Sequence, residues 1–182
     1  IESFIHGAMC IAYSGRCLLS DYKTGRSSNR GACVQACRWN YEIREKGSLG
    51  QYMEMQEDER GTYILNSKDL CLIDYIDKLE KAGVCSFKIE GRMKTEYYLA
   101  TVINAYRRAL DNFYKKGENY QDKTFYNELE KTAHREFTTA YLLGENDRTE
   151  NFDDSQSKGS HKFIANVIGS GDGYALIEMR NR

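Results

Sequence analysis

The sequence predicts an α/β protein, and three observations support this class. Short apolar strands alternate with amphipathic helices along the chain, a rhythm typical of sheets that are flanked by helices. The 182 residues are 41% hydrophobic and 12% aromatic, which is enough for an ordinary globular core. The chain contains no apolar run of the ~18 residues that span a membrane. We therefore expect a cytoplasmic α/β protein that does not enter a membrane.

Individual elements follow from local patterns. A first strand is predicted at residues 1–5 and an apolar strand, VCSFKIE, at 84–90. Apolar residues at helical spacing predict three helices, over 68–82 with Ser67 as cap, over 95–116, and over 124–133 begun by Thr124. Two hairpins are predicted as well, one pairing residues 37–45 with 51–58 and one around the Gly-Asp-Gly turn of residues 162–182.

Function in α/β proteins gathers where strands end and loops begin. Two stretches meet that description, HGAMC at residues 6–10 and EGRMK at residues 90–94. The net charge is −1, so overall charge does not indicate a polyanionic partner. Between Arg16 and Arg44, however, six bases stand against two acids, and this excess coincides with the cysteines.

Four of the six cysteines follow the spacing Cys10-x6-Cys17-x15-Cys33-x3-Cys37. In a cytoplasmic protein, this many cysteines favour metal ligation or redox chemistry over disulfides. Four thiolates can close a tetrahedral zinc site or hold an iron–sulfur cluster. Spacing alone leaves a cluster, zinc and unligated thiols open, with disulfides as a minor alternative.

The neighbouring residues favour ligation. Arginines would offset the thiolate charge, and glycines let backbone amides approach a sulfur. These residues are Arg16, Arg30 and Arg38, and Gly7, Gly15 and Gly31. For Cys71, on the predicted helix, and Cys85, at the start of a strand, burial as a small hydrophobe is the favoured interpretation. Cys71 stays open as an alternative to Cys37 for the fourth ligand.

Residues 2–20, ESFIHGAMCIAYSGRCLLS, resemble the signature of the collagenase-like peptidase family, family 32 of the peptidases of unknown mechanism. The matching positions are Glu2, Phe4, Gly7, Ala8, Met9, Cys10, Gly15, Cys17, Leu19 and Ser20. Four later blocks resemble the family in the same order, namely NRGACVQACRW, DERGTYILNSKDLCLI, FKIEGRMK and HREFTTAYLLG. The resemblance covers residues 2–145. One departure is the Gln35–Ala36 pair before Cys37, where relatives often place a proline.

This resemblance implies a fold and a domain division. Family members join an α/β barrel-like catalytic part to a small β domain. The chain would then contain the C-terminal half of the (β/α) barrel-like catalytic domain at residues 1–145, with the cysteine cluster as an insertion. A linker at 146–160 and the truncated start of the C-terminal β domain at 161–182 would follow.

The resemblance also implies an activity. Members are commonly labelled peptidases, after collagen-degrading activity. The better-understood members that this chain resembles hydroxylate a pyrimidine in RNA, as in forming 5-hydroxyuridine in tRNA, and depend on prephenate and an iron–sulfur cluster. Relatives in quinone biosynthesis carry a 4Fe–4S cluster on comparable cysteines and use prephenate as an oxygen source. The implied cluster ligands are Cys10, Cys17, Cys33 and Cys37, with zinc as the alternative metal.

A peptidase needs a nucleophile with a base, or a metal-activated water. The sequence contains no nucleophile-elbow, HExxH or paired-carboxylate motif. His6, four residues before Cys10, is a candidate catalytic residue as the partner of that thiol, although a structural or substrate-contacting role is favoured. If Cys10 is a cluster ligand, it cannot also be a free nucleophile. This is the main physical argument against a thiol peptidase.

Prephenate is a dicarboxylate, so arginine or lysine should bind it. Arg92 and Lys94 are the first candidates, with Arg26 and Arg30 behind them, and Glu90 either orients Arg92 or forms a plain surface ion pair with it. Tyr13, Tyr22 and Trp39 are aromatics that could stack an RNA base, although Trp39 also suits the core.

The resemblance thus implies iron–sulfur-dependent hydroxylation of a pyrimidine in tRNA, with rRNA as the alternative substrate. A collagenase-like peptidase and a zinc-stabilised module without catalysis are the alternatives. The expected partners are RNA and the small dicarboxylate, with a paralogous partner subunit as an open alternative.

Overall fold

The computed structural model describes residues 1–10, 12–13, 15–39, 43–44, 52–53, 67–117, 122–144 and 157–180. The chain divides into two compact units. Unit 1 comprises Ile1–Met93 and His134–Ser157, and unit 2 comprises Lys94–Ala133 and Lys158–Arg182. The predicted α/β class is confirmed. The barrel, the cysteine insertion and the domain boundaries stay predictions, and most of the predicted linker at 146–160 lies outside the described residues.

Unit 1 is built on a mixed sheet. Its strands in chain order are β1 (Glu2–Ala8), β2 (Ile43–Arg44), β3 (Tyr52–Met53), β4 (Asp69–Cys71), β5 (Ser86–Ile89) and β6 (Phe137–Thr138). Four of them form one sheet in the order β5-β1-β4-β6. Strand β1 runs parallel to β5 and antiparallel to β4, and β4 runs parallel to β6. Strands β2 and β3 form the first predicted hairpin.

The site lies at the end of the sheet where β1 and β5 both terminate. Because the two strands are parallel, their carboxyl ends leave the sheet on the same side. The Glu90 N–H donates to the His6 carbonyl at 2.8 Å and extends the pairing past β5. Gly7 has φ 115°, and a Cβ atom there would collide with the Glu90 carbonyl, so the close approach requires glycine. The segments after Ala8 and after Ile89 therefore begin side by side.

The helix predicted over 68–82 is present only in its second half. Residues Asp69–Cys71 form β4, a 3-10 turn follows at Ile73–Tyr75, and an α-helix spans Ile76–Lys81. Asp69 and Cys71 are buried, and the Asp69 N–H donates to the Glu136 carbonyl at 3.0 Å. Ladder hydrogen bonds on both sides of this short segment override its helical spacing. Cys71 consequently lies on a central strand.

Apart from the helix at Ile76–Lys81, the remaining local elements of unit 1 lie in the cysteine segment, residues 10–39. In chain order, helix α1 spans Leu19–Thr24 and the helix just described, α2, spans Ile76–Lys81. Single 3-10 turns occupy Ser28–Arg30 and Ala36–Arg38.

Unit 2 contains helices α3 (Glu96–Lys116) and α4 (Lys123–Leu129) and strands β7 (Ala165–Gly171) and β8 (Tyr174–Met179). The long helix agrees with prediction, and its N-cap Thr95 accepts from the Tyr98 N–H at 3.2 Å. Helix α4 is capped by Asp122, not Thr124, because the Asp122 carboxylate accepts from the Thr124 N–H. Strands β7 and β8 form the second predicted hairpin. Within the described parts of the chain, helices long and apolar enough to cross a membrane are absent.

Candidate functional site

Four thiols share one neighbourhood at the edge of unit 1. Cys10 follows β1 and is exposed, whereas Cys17, Cys33 and Cys37 are half-buried in the segment around α1. Burial raises the pKa of the Cys37 thiol, Arg38 lowers this pKa, and Cys10, Cys33 and Cys17 each raise it. The Cys37 thiol is therefore within electrostatic reach of the other three cysteines.

The thiols do not converge on a single point. Among the described side chains, no three of Cys, His, Asp or Glu are arranged to hold one metal ion. Four thiolates bound to one zinc at ~2.3 Å would lie only ~3.8 Å from one another. A 4Fe–4S cluster binds each thiolate to a different iron, so its ligands are farther apart. Four cysteine sulfurs are a suitable donor set for either group, and both the cluster and zinc stay predictions.

Hydrogen-bond donors are directed at two of the sulfurs. The pKa of Cys17 is lowered, chiefly by the backbone N–H of Leu19. The Gln35 N–H donates to Cys33 Sγ at 3.2 Å. The donor at Cys17 favours the thiolate form of that residue, which is the form that ligates a metal.

Ser20 holds the two halves of the cysteine segment together. Its buried hydroxyl donates to the Arg26 carbonyl at 2.7 Å and accepts from the Val34 N–H at 3.1 Å. The Ser28 hydroxyl adds a bond to the Cys17 carbonyl at 2.9 Å. The sequence indicated Ser20 only through the family signature, because a single serine on a short helix carries no pattern of its own.

Arg38 links the Cys37 turn to the strand end beside Cys10. Its Nη2 donates to the Met9 carbonyl at 2.7 Å, and its Nη1 donates to Gln35 Oε1 at 3.3 Å. The positive charge that lowers the Cys37 pKa is thus also a structural tie between the first and last cysteines of the set.

A buried ion pair between Arg135 and Asp69 is connected to the same Gln35 side chain. Arg135 Nη1 donates to Asp69 Oδ1 at 2.8 Å, and both side chains are almost fully buried. Arg135 Nη2 donates to Gln35 Oε1 at 3.2 Å. Sequence reasoning missed these three residues. For Asp69 and Arg135, the available signal was a charged residue within a block that resembles the family, KDLCLI for Asp69 and HREF for Arg135.

Arg92 is fastened to the cysteine segment. Its Nη2 donates to the Arg30 carbonyl at 2.8 Å, and its own N–H donates to Glu90 Oε1 at 2.9 Å. Glu90 therefore contacts the backbone of Arg92 in the loop after β5. The structure thus brings Arg92 and Glu90 to Arg30, which lies three residues before Cys33.

Lys94, the other predicted carboxylate ligand, is held inside unit 2. Its Nζ donates to the Ala133 carbonyl at 3.0 Å and lies 4.8 Å from the centre of the Tyr98 ring. These contacts anchor the start of unit 2, so a structural role accounts for this lysine.

His6 lies inside the sheet. It is 1% exposed, pairs in register with Cys71, and its ring centre is 5.5 Å from that of Phe137. Cys10, by contrast, is exposed. Burial of the imidazole inside the sheet argues against His6 as the base of a cysteine peptidase.

Exposure corrects two further expectations. Trp39 is 44% exposed, so the core alternative for this residue is wrong, while Tyr13 and Tyr22 are exposed as expected. Cys71 is buried as predicted, whereas Cys85 is exposed and was predicted buried.

The fold and the site define a mixed α/β protein with a cysteine-rich sheet edge backed by arginines. Residues 1–151 match Peptidase family U32, and the chain belongs to this family. The resemblance deduced from the sequence is thereby confirmed.

The relatives carry two kinds of name. The chain is 39% identical to tRNA hydroxylation protein P1 of Bacillus subtilis (strain 168), over 100% of this chain and 43% of that protein. It is 35% identical to tRNA hydroxylation protein P of Escherichia coli (strain K12), over 100% of this chain and 49% of that protein. A protein named collagenase from Porphyromonas gingivalis (strain ATCC BAA-308 / W83) is 42% identical over 62% of this chain and 26% of its own length. The chain spans less than half the length of these relatives. No solved structure matches it.

Proposed function

We propose that this chain is the cluster-bearing part of an enzyme that hydroxylates a pyrimidine in tRNA, with 5-hydroxyuridine as the product. The similarity to proteins named for tRNA hydroxylation supports the reaction class. The observation that carries the proposal is that two arginines tie the cysteine-bearing segment to the strand ends: Arg38 bonds the Met9 carbonyl beside Cys10, and Arg92 bonds the Arg30 carbonyl three residues before Cys33.

In this proposal, Cys10, Cys17, Cys33 and Cys37 hold a 4Fe–4S cluster, which supplies one-electron transfer when bound. The N–H groups at Leu19 and Gln35 stabilise two of the thiolates. Arg38 offsets the negative charge at Cys37. Cys71 is not the fourth ligand in this assignment, because it is buried in the β1–β4 ladder.

Arg92 is proposed to bind a carboxylate of prephenate, the dicarboxylate oxygen source. The side chain is exposed, and one edge of its guanidinium is already fixed by the Arg30 carbonyl. A guanidinium fixed in this way loses little freedom when another edge takes a carboxylate. Lys94 is a weaker candidate, because its ammonium group already binds within unit 2.

The RNA is proposed to contact the exposed aromatics and arginines of the cysteine segment. The aromatics are Tyr13, Tyr22 and Trp39, and the arginines are Arg16, Arg26 and Arg30. Stacking of one base on an aromatic ring contributes about 1–3 kcal/mol, and arginines on the same segment would contact phosphates.

The deciding experiment is mass spectrometry of tRNA nucleosides from a strain lacking the full-length gene. Deletion should remove one hydroxylated pyrimidine, the wild-type gene should restore it, and a Cys37→Ala gene should not. A Cys71→Ala gene is the matched control and should restore it. An unchanged nucleoside profile on deletion would contradict the proposal.

A peptidase is the second candidate, favoured by the similarity to a protein named collagenase. It predicts cleavage of gelatin that continues after complete removal of iron. A zinc-stabilised module without catalysis predicts one zinc per chain, no iron, and unchanged nucleosides on deletion. The burial of His6 inside the sheet argues against a thiol peptidase that uses this histidine as its base.

A further inference from the structure

Gln35 has an unusual backbone conformation in the middle of the cysteine segment. Its φ and ψ are 57° and 38°, in the left-handed region that disfavours residues with a Cβ atom. Among the described non-glycine residues, only Gln35 and Ala140 have a positive φ. A residue held in this region needs surrounding contacts that compensate for the strain.

The contacts of Gln35 are directed at the thiols and at two arginines. Its N–H donates to Cys33 Sγ at 3.2 Å. Its side-chain Oε1 accepts from Arg38 Nη1 at 3.3 Å and from Arg135 Nη2 at 3.2 Å. One amide oxygen therefore joins two guanidinium groups that come from distant parts of the chain.

Arg135 gives this arrangement a rigid support. Its Nη1 bonds Asp69 at 2.8 Å and the Ser67 carbonyl at 3.3 Å, and its backbone N–H bonds Asp69 Oδ2 at 3.3 Å. Since Asp69 lies on β4, the Gln35 side chain is connected to the central sheet. The direction of the Gln35 N–H is thereby fixed relative to the strands.

We propose that Gln35 is a positioning residue for the cysteine centre, which keeps its own N–H on the Cys33 sulfur because Arg38 and Arg135 hold its side chain. This inference rests on the proposed function. A hydrogen bond to a ligating sulfur favours the reduced, more negative state of a cluster and so raises its reduction potential. Gln35 therefore sets both the potential and the retention of the iron.

Three substitutions at Gln35 in the reconstituted full-length protein distinguish the role of its side chain from the role of its backbone N–H. Gln35→Gly and Gln35→Asn both tolerate the left-handed conformation but remove or shorten the side chain that reaches the arginines. Gln35→Glu keeps an oxygen at the same reach. Asn29→Gly removes an exposed amide from the neighbouring 3-10 turn and serves as the matched control.

The measurements are the rate of iron loss to a chelator, the reduction potential by spectroelectrochemistry, and far-UV circular dichroism. Gln35→Gly and Gln35→Asn should release iron about tenfold faster than wild type, since contacts behind the ligands typically contribute at least that factor. Both should shift the potential to more negative values. Gln35→Glu should retain iron like wild type, and Asn29→Gly should match wild type in both readouts.

Unchanged iron release and potential in the Gly and Asn variants would overturn the inference while leaving the proposed function intact. Global loss of dichroism in both would also overturn it, because a positioning residue leaves the sheet folded. A wild-type protein that binds no cluster would instead refute the proposed function itself.

Discussion

Gly31 and Arg92 occupy adjoining space so closely that a Cβ atom on residue 31 would fall on the Arg92 guanidinium. Arg92 also bonds the carbonyl of the preceding residue, Arg30, at 2.8 Å. The loop after β5 and the cysteine segment therefore fix each other, and the absence of a side chain at residue 31 is a condition for this contact.

Gly31→Ala should lower stability and displace Arg92, whereas Gly25→Ala should only lower stability. Both glycines have a positive φ, 78° and 69°, but a Cβ at residue 25 would have no neighbour within contact distance. The conformational penalty is about 1–2 kcal/mol at either site. Urea unfolding should show this loss for both variants, and hydroxylation should fall only for Gly31→Ala. Equal activity of the two variants would contradict the Arg92 contact.

Cys37→Ala should abolish the brown chromophore of anaerobically purified full-length protein, and Cys71→Ala should leave it. Cys37 lies in the neighbourhood of the other three thiols, whereas Cys71 is buried in a strand ladder. Iron content per chain and visible absorption check this prediction. The reverse result, loss with Cys71→Ala alone, would reassign the fourth ligand.

Arg92→Lys should weaken the use of the dicarboxylate. A charge-assisted hydrogen bond contributes about 1.5–3 kcal/mol, and lysine cannot reproduce bidentate binding, so kcat/KM for prephenate should fall roughly tenfold to a hundredfold. Arg107→Lys is the control, because Arg107 is exposed on α3 and bonds Asp111. A wild-type KM for prephenate in Arg92→Lys would show that Arg92 does not bind the dicarboxylate.

In the iron-free protein, Cys17 should react with iodoacetamide at lower pH than Cys37. The N–H of Leu19 lowers the pKa of Cys17, so its thiolate forms at lower pH than that of an ordinary cysteine. Burial raises the pKa of Cys37, so its thiolate forms at higher pH. Peptide mapping after alkylation between about pH 6 and 10 measures both midpoints. Earlier modification of Cys37 would show that the two environments are assigned the wrong way round.

Asp69→Asn should destabilise the protein far more than Asp111→Asn. Both aspartates pair with an arginine, at 2.8 Å and 2.6 Å, but the Asp69–Arg135 pair is buried and the Asp111–Arg107 pair is exposed. Breaking a buried pair costs about 3–5 kcal/mol because it leaves a buried charge uncompensated. Losing an exposed i,i+4 pair costs about 0.2–0.5 kcal/mol. Thermal unfolding of the two variants should separate them clearly.

Local sequence patterns predicted the elements whose contacts are local. The long helix α3 has its apolar spacing, its Thr95 cap and its terminal Gly117 within one continuous segment. The two hairpins likewise pair neighbouring segments. The prediction of a helix over 68–82 was wrong for residues 69–71, because pairing with the distant strands β1 and β6 overrides their helical spacing.

The residues of the site also divide into those that the sequence indicates and those that only long-range contacts reveal. The cysteines and Arg92 stand out in the sequence by residue type and position, and the family signature marks Ser20. The roles of Gln35, Asp69 and Arg135 depend on bonds between residues far apart in the chain, which no local pattern contains. Spacing also gave no account of which thiols would be buried.

The Arg135–Gln35 bond, which joins residues 100 positions apart, has a consequence for biosynthesis. Ribosomes add about 5–20 residues per second, so the thiols leave the exit tunnel on the order of 5–20 s before the arginine that supports them. Nascent chains thus present unsupported sulfhydryls throughout that interval. On the proposed function, we expect iron to be inserted only after Arg135 has been synthesised, and the sulfurs to be most open to oxidants before then.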